Sequence, residues 1–506
     1  MYSCGTIVQR PVTPQAWLRL HAGAGAACLG MADWLFFGQS VGISFAVYVL
    51  FLALVALCVN PVRARESDVK IAFVVLVAGV LALVYDFNFL SFCVGVSAFL
   101  VYVHVLSGVE RSSLLYGMRR FWRFAGIGFV LVVRDGIRVQ RLWFCRRKTV
   151  SKRASYLQWI VPLVFGSVFV ALFGAANPLI ENMLRHVDLS AWWRHVSPSR
   201  MFFWFFVLGL VWPYLHMPSP RLGKAEAPKR RHAILSSMRP WKWIGQGTLL
   251  RSLLLFNTIF AVQTILDMAY LWGGLRLPDN LTYADYAHRG AYPLCCTALV
   301  AALFVLAAAP SLETTNPSRF LRPLLMFWVG QNLLLVVSAL LRLDLYVAAY
   351  SLTGLRVAAF IWMVLVGLGL VLVSLKIYWR KSSSWLIGAN ALALGLTLYL
   401  CCFVNFALFI ANYNVAHASS QGVEERNKLD EQYLVSLGSQ AIPAMDAYIE
   451  AGRLKGRDMG KLESARANLA NEFKAKQQGW RVFGLEAWSL HRYLAGKGES
   501  VASLHP

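Results

Sequence analysis

Long apolar runs recur along most of the chain, and they constrain its fold more than any other feature. A helix needs about 20 mostly apolar residues to cross the hydrocarbon core of a bilayer. Eleven stretches reach or approach that length: 20–37, 41–60, 70–86, 88–107, 156–178, 201–217, 249–274, 293–310, 323–342, 352–376 and 385–411. Alternating strand patterns are not evident, so the expected fold is all-α, a polytopic helical membrane protein with about eleven transmembrane helices. Composition agrees, because the 506 residues are 58% hydrophobic and 15% charged with a mean hydropathy of +0.54, against about 25% charge in a soluble domain. The first run is short, rich in Gly and Ala, and carries Asp33, so it fits either a crossing or a re-entrant helix. Arg10 and Arg19 precede it, but no clear cleavage site follows, and it reads as a membrane helix rather than a cleaved signal.

The net charge of +24 would suit a nucleic-acid partner if it were clustered on a soluble surface. Instead the basic residues sit in short loops between apolar spans, where they set topology. Arg63, Arg65 and Lys70 occupy one such loop, and residues 109–155 hold twelve basic residues from Arg111 to Arg153. The segment 217–247 holds seven, Arg319 and Arg322 fall in the next such loop, and Lys376, Arg380 and Lys381 in the last. Alternating loops are poorer, so the basic loops are expected in the cytoplasm, with the N-terminus inside and the C-terminus outside. Trp241, Trp243, Trp379 and Trp385 border two basic segments, as interfacial tryptophans do. Nucleic acid is excluded as a partner; the anionic lipid of the bilayer is the expected one, at about 1 kcal/mol per basic residue.

Four regions follow: N-terminal membrane helices at 1–108, a basic cytoplasmic amphipathic segment at 109–155, the main membrane domain at 156–411, and a soluble helical domain at 412–506. The last has twelve Lys/Arg against eleven Asp/Glu and four apolar stripes at helical spacing. Leu429, Tyr433, Leu434 and Leu437 form the first, closed by Gly438. Ala444, Met445, Tyr448 and Ile449 form the second, entered through Pro443 and closed by Gly452. Leu462, Leu469 and Phe473, then Leu485, Trp488, Tyr493 and Leu494, form the others.

Ionisable groups inside spans are expensive and mark either a substrate path or an interhelical contact. Asp33, Asp86, His104, Arg251, Asp267 and Arg356 are such groups, with Arg342 and Asp344 near a span end. Gln263 lies one helical turn before Asp267, and Gln331, Asn332 and Asn405 sit within later spans. Interhelical hydrogen bonds, worth about 0.6 kcal/mol each, are the preferred reading of Asp267, Gln263, Gln331, Asn405 and Arg356. The nine cysteines fall mostly in apolar spans and read as packing residues. The vicinal pairs Cys295–Cys296 and Cys401–Cys402 diverge by about 100° on a helix, and His186 and His195 fall on opposite helix faces, so no metal site is expected. No cofactor and no catalytic residue is expected, because the chain lacks HExxH, GxxxxGK[ST], GxGxxG after a strand and GxSxG.

Three stretches carry a family resemblance: YADYAHRGAYPL at 283–294, LYVAAYSLTGLRVAAFIWMV at 345–364, and NYNVAHASSQGVEERNKLDEQYLVSLGSQAIPAM at 412–445. Together they resemble the bacterial multi-pass membrane family known as domain of unknown function 4153, which includes the related group 4173. The resemblance covers residues 250–495 well and the first half by hydropathy. It marks Tyr286, Arg289, Gly290, Tyr350, Thr353, Arg356, Asn412, Asn414, Asp430 and Leu434 as motif positions, the first three with Asn412, Asn414 and Asp430 forming a candidate outer-face motif. The family usually has a second arginine at His288 and a glycine at Ser351. It carries no established activity.

Three functions fit these features. The first is a non-enzymatic inner-membrane scaffold or regulator that offers its C-terminal helices to an envelope protein. The second is a small-solute or ion transporter working through the intramembrane polar residues. The third is a transferase acting on a lipid-linked substrate, with Asp279, Asp285, His288 and Arg289 as an outer-face carboxylate, base and anion clamp.

Overall fold

The computed structural model describes residues 14–60, 66–106, 197–215, 246–269, 320–420, 429–456, 458–477 and 479–498, with 128, 132, 134, 300 and 304 as isolated positions. Outside these residues fall the expected spans 156–178 and, but for two positions, 293–310. The same holds for the amphipathic element of 109–155 except residues 128, 132 and 134, for Trp241 and Trp243, and for His186 and His195. Every regular element among the described residues is helical, and six of these helices are long and apolar enough to cross a membrane. The chain divides into two units, one of residues 1–221 with Trp480–Gly484, the other of 222–479 with 485–506.

The first unit contains α1 (Pro14–Phe36), α2 (Ile43–Val59), α3 (Glu66–Tyr85), α4 (Phe89–Leu106) and α5 (Pro198–Leu215). The weakest expected span is thus a continuous helix of 23 residues, packed on α2 and α5. Asp33, the charge that weakened it, is met at its own end: Arg200 Nε and Trp204 Nε1 each donate to its carboxylate at 2.8 Å. Tight packing of α3 on α4 depends on small residues. A Cβ placed on Gly79 would stand 2.5 Å from that of Ala98, and one on Gly95 equally close to a Leu83 methyl. Small residues let helix backbones approach where lipid offers no hydrophobic drive for association.

The second unit contains α6 (Gln246–Asp267), α7 (Leu321–Tyr350), α8 (Gly354–Tyr378), α9 (Ser383–Cys401), α10 (Phe406–Ser420), α11 (Glu431–Ser436), α12 (Ile442–Leu454), α13 (Gly460–Lys476) and α14 (Leu485–Gly496). A core of Leu249, Leu253, Leu325, Trp328, Val336 and Met363 joins α6, α7 and α8. Outward faces remain apolar, with Leu355 86%, Leu392 73% and Ile265 65% exposed, a surface that lipid rather than water must cover.

The expected span 385–411 is two helices. The chain leaves α9 at Cys402 and restarts at Phe406, where Asn405 Oδ1 accepts from Leu408 N–H at 2.9 Å; an asparagine side chain that caps a helix start favours a break that hydropathy does not register. The C-terminal stripes do fold as four helices, α11 to α14. Asp430 caps α11 by accepting from Tyr433 N–H at 2.8 Å, and Gly438 ends it with φ +81°. The second stripe runs further than expected: Gly452 lies inside α12 against Met459, and Gly456, with φ +69°, follows its end. Arg466 holds Asp446 through two bonds of 2.8 and 3.0 Å, and the Tyr493 hydroxyl donates to the same carboxylate at 3.0 Å. Burial, then that bond, pushes the Tyr493 phenol up to about 12.

Replacing Gly95 with leucine should separate α3 from α4 and lower stability by about 1–3 kcal/mol, the usual cost of overpacking, read as a lower thermal midpoint of the detergent-solubilised chain; Gly30→Leu, at a glycine with open space around it, should leave the midpoint unchanged.

Candidate functional site

Among the described residues of the second unit, two polar assemblies gather residues that the sequence singles out. The first lies between α6 and α7. Asp267 and Arg342 form an ion pair whose side chains are 1% and 4% exposed, and Gln263 Nε2 donates to the same Asp267 oxygen at 3.0 Å. Gln263 and Asp267 therefore meet as their spacing predicts, and their charged partner, which hydropathy puts near a span end, lies inside the helix pair. Arg342 is interior because α7 runs on to Tyr350, 30 residues in all, where hydropathy alone suggests an end near 342. Removing one partner of such a buried pair leaves an uncompensated charge and costs about 3–5 kcal/mol.

Gln331 does not join this pair. About three turns earlier along α7, roughly 16 Å, its Nε2 donates to the Asn257 carbonyl at 3.2 Å. Asn257 Nδ2 bridges Leu253 and Leu324 carbonyls at 2.7 and 3.2 Å, and Asn332 Nδ2 reaches the Trp328 carbonyl at 2.8 Å. With every amide nitrogen directed at a backbone carbonyl, the side-chain oxygens of Asn257, Gln331 and Asn332 and the indole N–H of Trp328 are buried without a partner among the described residues.

The second assembly surrounds the turn between α7 and α8, and it gathers residues from two of the three motif stretches. Asn414, 5% exposed, closes a pair of hydrogen bonds with one peptide unit: Leu352 N–H donates to its Oδ1 at 2.7 Å and its Nδ2 donates to the Leu352 carbonyl at 2.9 Å. Tyr433, fixed by the Asp430 cap, accepts from Gly354 N–H through its hydroxyl at 2.9 Å. Arg356 turns back on the end of α7, donating to the carbonyls of Tyr350, at 2.6 Å, and Ser351, while its guanidinium lies 4.4 Å from the Tyr346 ring centroid. Val347, Leu352, Val357 and Ile410 fill the space beneath. A helix end leaves four carbonyls without intrahelical partners, and here an arginine from the next helix takes two of them.

Among the other motif residues, Leu434 is buried in the core of the C-terminal helices, Asn412 is exposed on α10, and Tyr286, Arg289 and Gly290 lie outside the described residues, as do Asp279, Asp285 and His288. Asn405 belongs to neither assembly: its Nδ2 donates to Gln440 Oε1 at 3.1 Å. Ser351 explains one family preference. Its φ of 67° and ψ of 169° fall where glycine is nearly alone in being unstrained, and glycine is what the resemblance expects there. No group of three His, Cys, Asp or Glu side chains placed to hold a metal occurs among the described residues.

The described residues are all-helical, with six helices long and apolar enough to cross a membrane, and the polar side chains of both assemblies join one helix to another or to a turn. The chain belongs to the family described as domain of unknown function 4153, whose model matches residues 72–448. The match begins in α3, well before the motif stretches, so the first half shares more than hydropathy with the family. No curated protein and no solved structure matches the chain.

Ser351→Gly should raise stability by about 1 kcal/mol, the strain released less the freedom glycine adds to the unfolded chain, seen as a higher thermal midpoint in detergent; Ser351→Val should lower it.

Proposed function

We propose that this chain is a multi-pass protein of the bacterial inner membrane with a non-enzymatic role, a scaffold or regulator that presents its C-terminal helices to an envelope protein. It crosses the membrane about eleven times, with the N-terminus and basic loops in the cytoplasm against anionic lipid. The C-terminal helices form a soluble domain on the periplasmic or extracellular face.

One observation carries this reading: within each unit taken by itself, stretches of the C-terminal region pack on turns distant from the basic loops. In the second unit, Asn414 and Tyr433 hold the α7–α8 turn, whereas Arg319 and Arg322 precede or open α7 and Arg380 and Lys381 follow α8. In the first unit, the Phe483 carbonyl accepts from Ile43 N–H at 3.1 Å and Gly484 lies against the Tyr85 carbonyl, at the α1–α2 and α3–α4 turns, whereas Arg63, Arg65 and Lys70 lie between α2 and α3 or in the first turns of α3. Helices held on such turns offer a steady surface away from the basic loops, which is what a scaffold requires.

An alkaline phosphatase fused after Ser420 should be active, since the enzyme matures only outside the cytoplasm, and cross-linking through the C-terminal helices in intact cells should return a reproducible envelope protein. An inactive fusion, or no recurrent partner, removes this reading.

The transporter reading keeps one observation in its favour, the buried Asp267–Arg342 pair with Gln263. If the pair is structural, Asp267→Asn lowers the thermal midpoint and Asp267→Leu combined with Arg342→Met restores both midpoint and growth, since apolar replacement of a buried pair is often neutral. Restored folding without restored growth would favour transport instead.

A further inference from the structure

The segment Trp480–Gly484 brings an arginine to a defined place in the first unit. Gly42 makes room for it: a Cβ there would stand 2.7 Å from the Arg481 carbonyl oxygen and 2.8 Å from the Val482 Cα, so any side chain at 42 would displace the segment. Held there, the Arg481 guanidinium lies 5.2 Å from the Trp34 ring centroid and 5.3 Å from that of Trp480, beside a tilted pair of rings whose centroids are 5.7 Å apart. Such stacking orients the planar cation but supplies no anion.

No counter-ion takes that place among the described residues. Arg481 Nη1 donates to Gln39 Oε1 across a long 3.4 Å, and Nε is buried with no acceptor. Asp33, next in sequence to Trp34, is already engaged by Arg200 and Trp204. The buried Nε is closed to an incoming ligand, so the terminal nitrogens of the guanidinium are what remains for the oxygens of a phosphate. The surroundings favour a phosphate that carries acyl chains. Trp34 is 54% and Trp480 39% exposed, and exposed tryptophans are enriched at headgroup depth. On α5, which the Asp33–Arg200 pair ties to the same end of α1, Phe202 and Phe206 stack with centroids 6.4 Å apart and are 71% and 46% exposed.

We propose that Arg481, held against the Trp34–Trp480 pair, binds the phosphate of a phospholipid headgroup. The site requires only that this end of the first unit lie at a membrane boundary; it is independent of any protein partner and of which compartment the end faces. The lipid assay reads binding and the reporter fusion reads sidedness, so failure of either idea is distinguishable from failure of the other.

The full chain, delipidated in detergent, should retain phosphatidylglycerol in native mass spectrometry. Arg481→Gln should weaken that retention at least tenfold, and Arg481→Lys, which keeps the charge but not the fork, should fall between. In the unaltered chain, a phosphatidylglycerol with a photoreactive acyl chain should label α1 around Trp34 or α5 around Phe202 and Phe206. Equal retention by Arg481→Gln, labelling absent from both helices, or equal retention of diacylglycerol would each overturn the proposal. So would inorganic phosphate raising the thermal midpoint through Arg481 while the lipid does not, which would make a free anion the ligand.

Discussion

The two hydrogen bonds between the Asn414 side chain and the peptide unit of Leu352 tie together most of what the second unit does. The turn between α7 and α8 is short, and Leu352, whose peptide N–H and carbonyl these bonds complete, is buried at its centre. Unpaired, such groups would each cost about 1–3 kcal/mol. A carboxamide is the one side-chain group that offers a donor and an acceptor in the plane of a peptide, so an asparagine 62 residues away completes the turn as a strand neighbour would. Doing so commits α10 to a position beside α8, and α10 carries the C-terminal helices with it. Arg356 and Tyr433 repeat the logic on either side, each answering a backbone group of the same turn.

This gives the family motif a physical meaning. Among the described residues at 350–356 and 412–434, Asn414, Tyr433 and Arg356 direct their polar atoms at backbone groups of one turn. They terminate one membrane helix, start the next, and fasten a later segment across the junction. The left-handed backbone at Ser351 belongs to the same construction, because the chain must reverse between Tyr350 and Gly354 in very few residues. The Asp267–Arg342 pair serves a similar end between α6 and α7: each charge is the other's main reason for tolerating burial.

Much of this architecture was legible in the sequence. Apolar runs marked α1 to α9 because hydrocarbon imposes a length that few other environments demand, and the C-terminal stripes marked α11 to α14 because each helix buries a single face. What escaped were features set by contacts remote in sequence. Hydropathy runs smoothly through 385–411, so the break at Cys402–Asn405 was visible only as an asparagine suited to capping. Arg342 looked like a span end because charge lowers a hydropathy window, whereas Asp267 permits it an interior place. Nothing local distinguishes residues 480–484 from their neighbours, yet they leave the C-terminal helices to pack in the first unit, where Gly42 accepts them. The family resemblance marks Asn414 as a motif position but gives it no role, since only the fold brings it to Leu352.

The central claim is that the C-terminal region is locked to the membrane helices through the α7–α8 turn. Hydrogen exchange on the intact chain in a lipid nanodisc tests it directly. Leu352 and Gly354 amides should exchange far more slowly than those of an open turn, and both should become fast in Asn414→Leu while the amides at the centre of α8 stay protected. Fast exchange at Leu352 in the unaltered chain would contradict the account.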